Sequence, residues 1–167
     1  MKKILLILLL MLTSCTTSPT PHVENTKPLN YTAKMIRVYP ETFEETYPKY
    51  YVFSTLEAFQ QFYQDEGQTL GGYVNNEEIL DVTSKYTDEY FNNHSLVVLL
   101  LMESSGSIRH QIESIKLIEK SLQVNVVKRV PAIGTSDIGH WSIFIEINQQ
   151  LQLDTELEVK TTTTEIK

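Results

Sequence analysis

The fold is decided by residues 90–112, YFNNHSLVVLLLMESSGSIRHQI. The apolar run from Leu96 to Met102 is long enough to cross a sheet but too short to cross a bilayer, so it predicts a buried strand. Ser104-Ser105-Gly106 predicts a tight turn, because serine and glycine are typical turn residues. Alternation of apolar and polar residues from Ile108 to Ile112 predicts a second strand, and we expect the two strands to form a hairpin.

More strands are expected on the carboxyl-terminal side of this hairpin. The inward-facing residues change from even-numbered positions (Ile108 and Ile112) to odd-numbered positions (Ile115 and Leu117). This change of phase predicts a β-bulge near Glu113 or Ser114. Alternating patterns at residues 122–126 and 141–147 predict two half-buried strands. A last strand at residues 157–159, followed by a run of threonines, is expected at an edge of the sheet.

The amino-terminal side predicts a strand at residues 33–39 and then helical cover. Ser54-Thr55-Leu56-Glu57 has the pattern of a capping box, and Gly67 stands where a helix C-cap residue belongs. Residues 79–82 are interpreted as a short turn or strand, and a second short helix is expected to begin at Thr87. The chain is therefore predicted to be α+β, an antiparallel meander sheet of about five to six strands with two N-terminal-side helices.

Composition narrows the classes of function. With 41% hydrophobic residues the chain can bury a core, and its net charge of −7 disfavours nucleic-acid binding. A single cysteine excludes an intramolecular disulfide and zinc sites of the paired-cysteine kind. We expect no cofactor and no metal.

The N-terminus has the pattern of an export signal. Lys2 and Lys3 precede an uninterrupted apolar run, Ile4 to Leu12, which has the length of a signal-peptide core. It leads into Leu12-Thr13-Ser14-Cys15, which resembles the lipobox of bacterial lipoproteins. The weaker alternative is an ordinary secretory signal with an incidental cysteine.

The lipoprotein resemblance implies a domain organisation and a location. Residues 1–14 would be the signal peptide and Cys15 the lipidated N-terminus, on the extracytoplasmic face of a bacterial cell membrane. Residues 15–30, rich in proline and threonine, are then expected to form a flexible tether to a globular domain at 31–167.

A second resemblance covers roughly half of the chain. Phe91-Asn92-Asn93-His94-Ser95, the turn Ser105-Gly106-Ser107 and the strand from Trp141 to Ile147 look like the C-terminal domain of PrcB-type proteins, lipoprotein subunits of a surface protease complex. Gly106-Ser107-Ile108-Arg109 departs from the Gly-Gly-Tyr type sequence of that family. The resemblance implies an extracytoplasmic protein partner, namely a protease. The chain is also similar to small lipoproteins of Gram-positive bacteria.

Two polar clusters are the candidate interaction surface. The first surrounds the turn, and its serines and glycine are explained by turn chemistry. Ser107 and His110 are three residues apart on a strand, so they face opposite sides and cannot pair directly. The second consists of Asp137, His140 and Trp141, where a loop enters a strand. Asp137 and His140 supply only two ligands, which are too few for a metal site. The residues of this surface are Glu103, Ser104, Ser105, Ser107, Arg109, His110, His140 and Trp141.

The leading hypothesis is a membrane-anchored, non-enzymatic protein-interaction module that modulates an extracytoplasmic protein. The last edge strand is a second contact surface, by strand addition. One rival is a small-ligand or envelope-binding lipoprotein with a groove lined by Trp141, Tyr50, Tyr51 and Tyr73. The other rival, ranked last, is a hydrolase that uses Ser107, His140 or Asp137.

Overall fold

The computed structural model describes residues 26–39, 46–69 and 76–166, with the side chains of residues 67–69 left aside. The described part contains eight strands and three helices. The strands are β1 (Thr26–Pro28), β2 (Tyr31–Val38), β3 (Lys49–Phe53), β4 (Ser95–Glu103), β5 (Arg109–Ile118), β6 (Ser121–Pro131), β7 (Gly139–Ile147) and β8 (Glu156–Ile166). The helices are α1 (Leu56–Thr69), α2 (Glu77–Thr83) and α3 (Asp88–Phe91).

The strands form two sheets of four, and the α+β class is confirmed. Sheet 1 has the order β1-β5-β6-β8, and sheet 2 has the order β2-β7-β4-β3. One apolar cluster fills the space between the two sheets. A second cluster lies between sheet 2 and the helices. The described residues therefore make three layers, in the order helices, sheet 2, sheet 1.

Strand β4 lies in the middle layer, and its position explains the unbroken apolar run. Val97, Leu99 and Leu101 pack into the core between the sheets. Leu96, Val98 and Leu100 point the other way and pack against the helices. A strand with both faces buried needs no polar alternation, which is why this stretch is continuously apolar.

The arrangement of the strands differs from the predicted single meander of five or six strands. Strand β4 pairs with β3 and β7, whereas β5 pairs with β1 and β6. The turn at residues 104–108 therefore carries the chain from one sheet to the other, and the predicted β4–β5 hairpin is wrong. Turn residues specify a local reversal, but pairing is decided by where each apolar face can be buried.

Two finer predictions within sheet 1 are confirmed. The register between β5 and β6 shifts between Ile112 and Ser114, where the change of phase predicts a bulge. Strand β8 lies at the edge of the sheet. It differs from expectation in that the threonine run belongs to the strand and in that β8 pairs with β6 in parallel. The pairing is parallel because β7, which lies between β6 and β8 in the sequence, runs back through sheet 2. Strands β6 and β8 therefore run in the same direction in sheet 1.

The helices also differ in detail, because the described residues contain three helices where two are predicted. Thr55, and not Ser54, caps α1, since the Ala58 amide donates to Thr55 Oγ1 at 3.3 Å. Helix α1 continues through Gly67 to Thr69. Residues 77–83, interpreted in part as a turn or strand, form α2, because burial of one face against sheet 2 selects the helix.

The amino-terminal boundary lies earlier than the predicted start of the domain at residue 31. Strand β1 pairs with the end of β5, and the Leu29 amide donates to the Ile115 carbonyl at 3.0 Å. Thr26–Pro28, assigned to the tether by composition, thus belong to sheet 1. The predicted signal peptide, Cys15 and the first part of the tether lie outside the described residues. No described helix is long and apolar enough to span a membrane.

Candidate functional site

The predicted turn and a second loop meet at one end of the two sheets. The turn at residues 104–108 follows β4, and the loop at residues 132–138 leads into β7. The Gly106 amide donates to the Asp137 carbonyl at 2.9 Å and lies 3.3 Å from Asp137 Oδ1. Pairing of β4 with β7 ends at Glu103 and Gly139, which places the two loops side by side.

The hydroxyls of the turn are engaged with each other. Ser105 Oγ lies 2.8 Å from Ser107 Oγ and 3.1 Å from Thr135 Oγ1. Ser107 Oγ also accepts from the Thr135 amide at 3.1 Å. These bonds join the two loops, so the serines act as turn and loop contacts rather than as an exposed nucleophile.

Two guanidinium groups flank the single tryptophan. The Arg109 guanidinium carbon lies 4.7 Å from the Trp141 ring centroid, and that of Arg37 lies 5.9 Å away. Arg37 also pairs with Asp137, and Arg109 Nη1 donates to the Gly106 carbonyl at 2.7 Å. The stack fixes both arginines through cation–π attraction and ties them to the loops.

A buried charged cluster lies beside these loops. His110 Nε2 is 2.8 Å from Glu103 Oε1, and Lys128 Nζ pairs with the other oxygen of Glu103. The His110 side chain is only 2% exposed, and that of Glu103 is 10% exposed. The three residues come from β4, β5 and β6, so the cluster joins sheet 2 to sheet 1. We refer to Glu103, His110 and Lys128 as the charged triad.

The local sequence explains why the triad forms. On β4, inward positions run Val97, Leu99, Leu101 and then Glu103, and on β6 the inward positions Leu122, Val124 and Val126 precede Lys128. On both strands, the inward-facing positions therefore change from apolar to charged residues at the same end of the core. Charges at a core end need partners, and here each carboxylate oxygen has one.

The electrostatics of the site follow from burial. Burial lowers the pKa of His110, and the charges of Lys128 and Arg109 lower it further, while Glu103 opposes the shift. Burial and the Arg37 charge likewise lower the pKa of His140. Hydrogen bonds from Thr135 and Arg37 hold the pKa of Asp137 well below its usual range. Asp137 is thus a fixed anion, while both histidines favour the neutral form.

The triad offers limited chemistry as it stands. With an ionised Glu103 as acceptor, His110 carries its proton on Nε2, which leaves Nδ1 as an acceptor. Among the described residues Nδ1 has no hydrogen-bond partner, and it is inaccessible to solvent. In this conformation Nδ1 cannot take a proton from a substrate. A pocket of 330 Å³ lies next to the triad, and its walls include Tyr50, Thr161 and Thr163.

The predicted interaction surface is divided by the fold. Ser104 and Arg109 are exposed and Ser107 is partly exposed. The other five residues are largely buried: Glu103, Ser105, His110, His140 and Trp141. Buried side chains can support a contact surface but cannot themselves form it.

The aromatic groove of the ligand-binding rival is not assembled in the described residues. Tyr50 packs toward the core between the sheets, whereas Tyr51 packs toward the helices and donates to Glu66 at 2.8 Å. Neighbouring residues on a strand face opposite sides, so these two tyrosines cannot line one groove. Tyr73 lies outside the described residues. In the proposed hydrolase set, Asp137 is bound to Arg37 and to Gly106.

His110 and His140, which could meet if their strands were neighbours, are on strands of different sheets. The His140 ring lies 5.5 Å from the Tyr47 ring in an edge-to-face contact. No group of three or more metal-ligating side chains is found in the part of the chain that the structure describes.

Three residues of this site are missed by the sequence reasoning: Lys128, Arg37 and Thr135. For Lys128 a signal exists, because it continues the inward alternation Leu122, Val124, Val126 by one more step. Arg37 and Thr135 carry no such signal, since their partners are about 100 and 30 residues distant in the chain.

No protein-family model, curated protein or solved structure matches this chain.

Proposed function

We propose that the protein is a lipid-anchored extracytoplasmic bacterial lipoprotein that acts as a non-enzymatic protein-interaction module. An extended segment of a partner protein would pair with the free edge of β8. The observation that supports this most strongly is the edge itself, because β8 has 11 residues and, within the described part of the chain, pairs with β6 alone. A surface protease is the partner class that the PrcB-type resemblance implies.

The backbone of β8 presents alternate residues to the free edge. The Glu156 amide donates to Lys120 at 2.9 Å and the Ile166 carbonyl accepts from Ala132 at 3.1 Å, both on the side of β6. The pairing with β6 runs from Glu156 to Ile166 without a register shift. Even-numbered residues therefore face β6, and the amides of Thr161 and Thr163 face the free edge.

The composition of β8 leaves this edge open for pairing. Edge strands are usually protected by charged residues, proline or shortness. Residues 161–164 are four consecutive threonines, which carry no charge and favour the extended backbone. Strand β1 has only three residues and ends in proline, and β3 has only five residues. On β2 the Arg37 carbonyl accepts from the Asn76 side chain at 3.2 Å. Among the described edge strands, β8 is the best suited to strand addition.

The test is crosslinking of the lipidated protein in its native membrane, followed by mass spectrometry. Thr163→Pro removes one outward-facing amide and spares the bonds to β6, whereas the matched control Thr163→Val keeps that amide. We expect a recurrent partner with the wild type and Thr163→Val that is lost with Thr163→Pro. Equal capture by all three would contradict strand addition at β8. Failure to capture a partner with any of them would contradict the interaction role.

The anchor has its own test. Two acyl chains on Cys15 would hold the protein stably at a membrane, since each buried methylene contributes about 0.8 kcal/mol. We expect metabolic labelling of the wild type with an alkyne fatty acid and none of Cys15→Ser, which should leave the membrane fraction. Equal labelling of the two proteins would contradict lipidation at this residue.

The pocket beside the charged triad favours small-ligand binding as a second candidate function. Its 330 Å³ and its mixture of tyrosine, threonine and charged walls would suit a polar molecule the size of one sugar or amino acid. Thermal-shift screening of cell-envelope sugars and amino acids tests this. A hit that persists in Glu113→Gln, which changes an exposed residue outside the pocket, but not in Lys128→Met would support it, and a screen without hits would count against it.

A further inference from the structure

A groove between α1 and α2 lies on the helical layer, away from β8. It has a volume of 520 Å³, and mainly apolar side chains line it. Phe59 and Tyr86 are buried there, whereas Leu80 is 45% exposed in the middle of α2. An exposed leucine beside an apolar groove is typical of a surface that a partner covers.

The helices around this groove carry negative charge only. Helices α1, α2 and α3 contain no lysine or arginine. Lysines from neighbouring segments neutralise part of this charge: Lys49 pairs with Glu66 at 3.0 Å, and Lys34 lies 3.4 Å from Glu78. The acidic residues of the three helices are Glu57, Asp65, Glu66, Glu77, Glu78, Asp81, Asp88 and Glu89.

Two of the remaining carboxylates are placed at the groove. Glu57 is one helical turn before Gln60, and Glu77 is one turn before Leu80, so each is next to a groove residue on its own helix. Both are exposed, and neither forms an ion pair with any described residue. The nearest cation in sequence, Lys85, directly precedes the groove residue Tyr86 and is paired with Glu146. The groove is thus apolar at its centre, and two unpaired carboxylates lie beside its lining residues.

We infer that this groove binds a basic amphipathic helix of a partner protein. Apolar side chains at helical spacing would cover Leu80 and the groove, and lysine or arginine side chains on the flanks would pair with Glu57 and Glu77. Helix α1, at 14 residues, extends roughly 21 Å, which matches about four turns of a bound helix. An anionic membrane surface is disfavoured as the occupant, because the same carboxylates would repel its headgroups.

The test uses synthetic peptides and the full-length lipidated protein in phosphatidylcholine nanodiscs. The probe is a fluorescent 14-residue peptide with leucines at i, i+3, i+4 and i+7 positions and lysines elsewhere. A scrambled peptide has the same charge without an apolar face, and a second control replaces each lysine by glutamate. We expect saturable binding of the probe by fluorescence anisotropy, weakened by salt, and no saturable binding of either control peptide.

Protein variants locate the binding. Leu80→Ser should weaken the affinity for the probe roughly tenfold or more. The reason is that the bound peptide would bury Leu80, and serine cannot replace this apolar contact. The double change Glu57→Gln and Glu77→Gln should weaken it about threefold at low salt. The matched control, Glu113→Gln with Glu119→Gln, changes the net charge equally on sheet 1 and should leave the affinity unchanged.

Two kinds of result would overturn the inference. Equal binding of the scrambled peptide, or an equal loss with the sheet 1 control, would show unspecific attraction to an acidic protein. Binding of phosphatidylglycerol vesicles that Leu80→Ser abolishes, without peptide binding, would make a membrane the occupant. Because this site and β8 are in different layers, Thr163→Pro should leave the affinity for the peptide unchanged.

Discussion

At the scale of single residues, the charged triad is the unusual feature. Glu103 accepts from His110 and pairs with Lys128, and the side chains of Glu103 and His110 are largely buried. Charges at the end of an apolar core are costly unless all of them are matched. The triad therefore adds one carboxylate-centred contact to the apolar packing of sheet 1 on sheet 2.

Replacing this carboxylate should destabilise the protein. Glu103→Gln removes the negative charge and leaves Lys128 without its partner, although Lys128 can reach water because its side chain is 26% exposed. We expect a loss of about 1–3 kcal/mol in the free energy of unfolding. Urea denaturation measures it, with the exposed Glu113→Gln as the control. An equal effect of the two changes would show that the triad contributes nothing.

The histidines should make stability depend on pH. Burial lowers the pKa of His110 and of His140 below the value of about 6.5 expected in the unfolded chain. The unfolded chain then binds more protons as the pH falls through this value, so stability present at pH 7.5 should be lost toward pH 5.

Thermal unfolding between pH 5 and pH 7.5 checks this. His110→Gln should reduce the slope of the midpoint temperature against pH, and the double change with His140→Gln should reduce it further. A slope in His110→Gln as steep as in the wild type would contradict the assignment to His110.

At the scale of elements, the short helix α2 depends on Asn76, the N-cap residue that precedes it. The Asn76 side chain accepts from the Glu78 and Ile79 amides at 3.0 and 3.2 Å, and its amide group donates to the Arg37 carbonyl of β2. One side chain thus caps a seven-residue helix and covers part of the β2 edge. A helix this short is stable mainly through such contacts and through packing.

The two roles of Asn76 can be separated. Asn76→Ala removes both and should cost about 1–2 kcal/mol of unfolding free energy. Asn76→Asp keeps the cap acceptor but loses the amide donor, so its cost should fall between those of the wild type and the alanine variant. Chemical denaturation measures both, and an aspartate variant as unstable as the alanine variant would show that the bond to β2 is the dominant one.

At the scale of the whole molecule, the three layers place β4 between two cores. Leu99 and Leu100 are neighbours in the sequence, yet Leu99 packs toward sheet 1 and Leu100 toward the helices. A strand in a two-layer fold would bury only one of them.

Both positions should therefore be sensitive to truncation. Leu99→Ala and Leu100→Ala are each expected to lower the free energy of unfolding by about 2–5 kcal/mol, because each leaves a cavity in a closed core. Leu80→Ala, at an exposed position of the groove, is the control and should cost far less. Tolerance of either core substitution would contradict the three-layer packing.

Local patterns in the sequence identify most strands. The run from Leu96 to Leu101, the alternation on β6 and β7, and the bulge between Ile112 and Ser114 can be predicted because they depend on which side chains face a core. Met102, the last residue of the predicted apolar run, is 45% exposed. Helix α2 is missed, because a seven-residue element has too few turns to show its period. The cap of α1 is placed one residue early, because serine and threonine are both good cap residues.

What the sequence by itself determined is the set of local choices: strand or turn, inward or outward, and an α+β composition. What only the tertiary structure decided is which elements meet. The turn at residues 104–108 has the sequence of a hairpin turn, but it carries the chain from one sheet to the other. The charged triad joins residues of three strands, and nothing in the sequence of each strand indicates which residues will be its partners. Periodicity reports whether a side chain is buried, whereas pairing depends on apolar faces far apart in the chain, and these become neighbours only when the whole core is assembled.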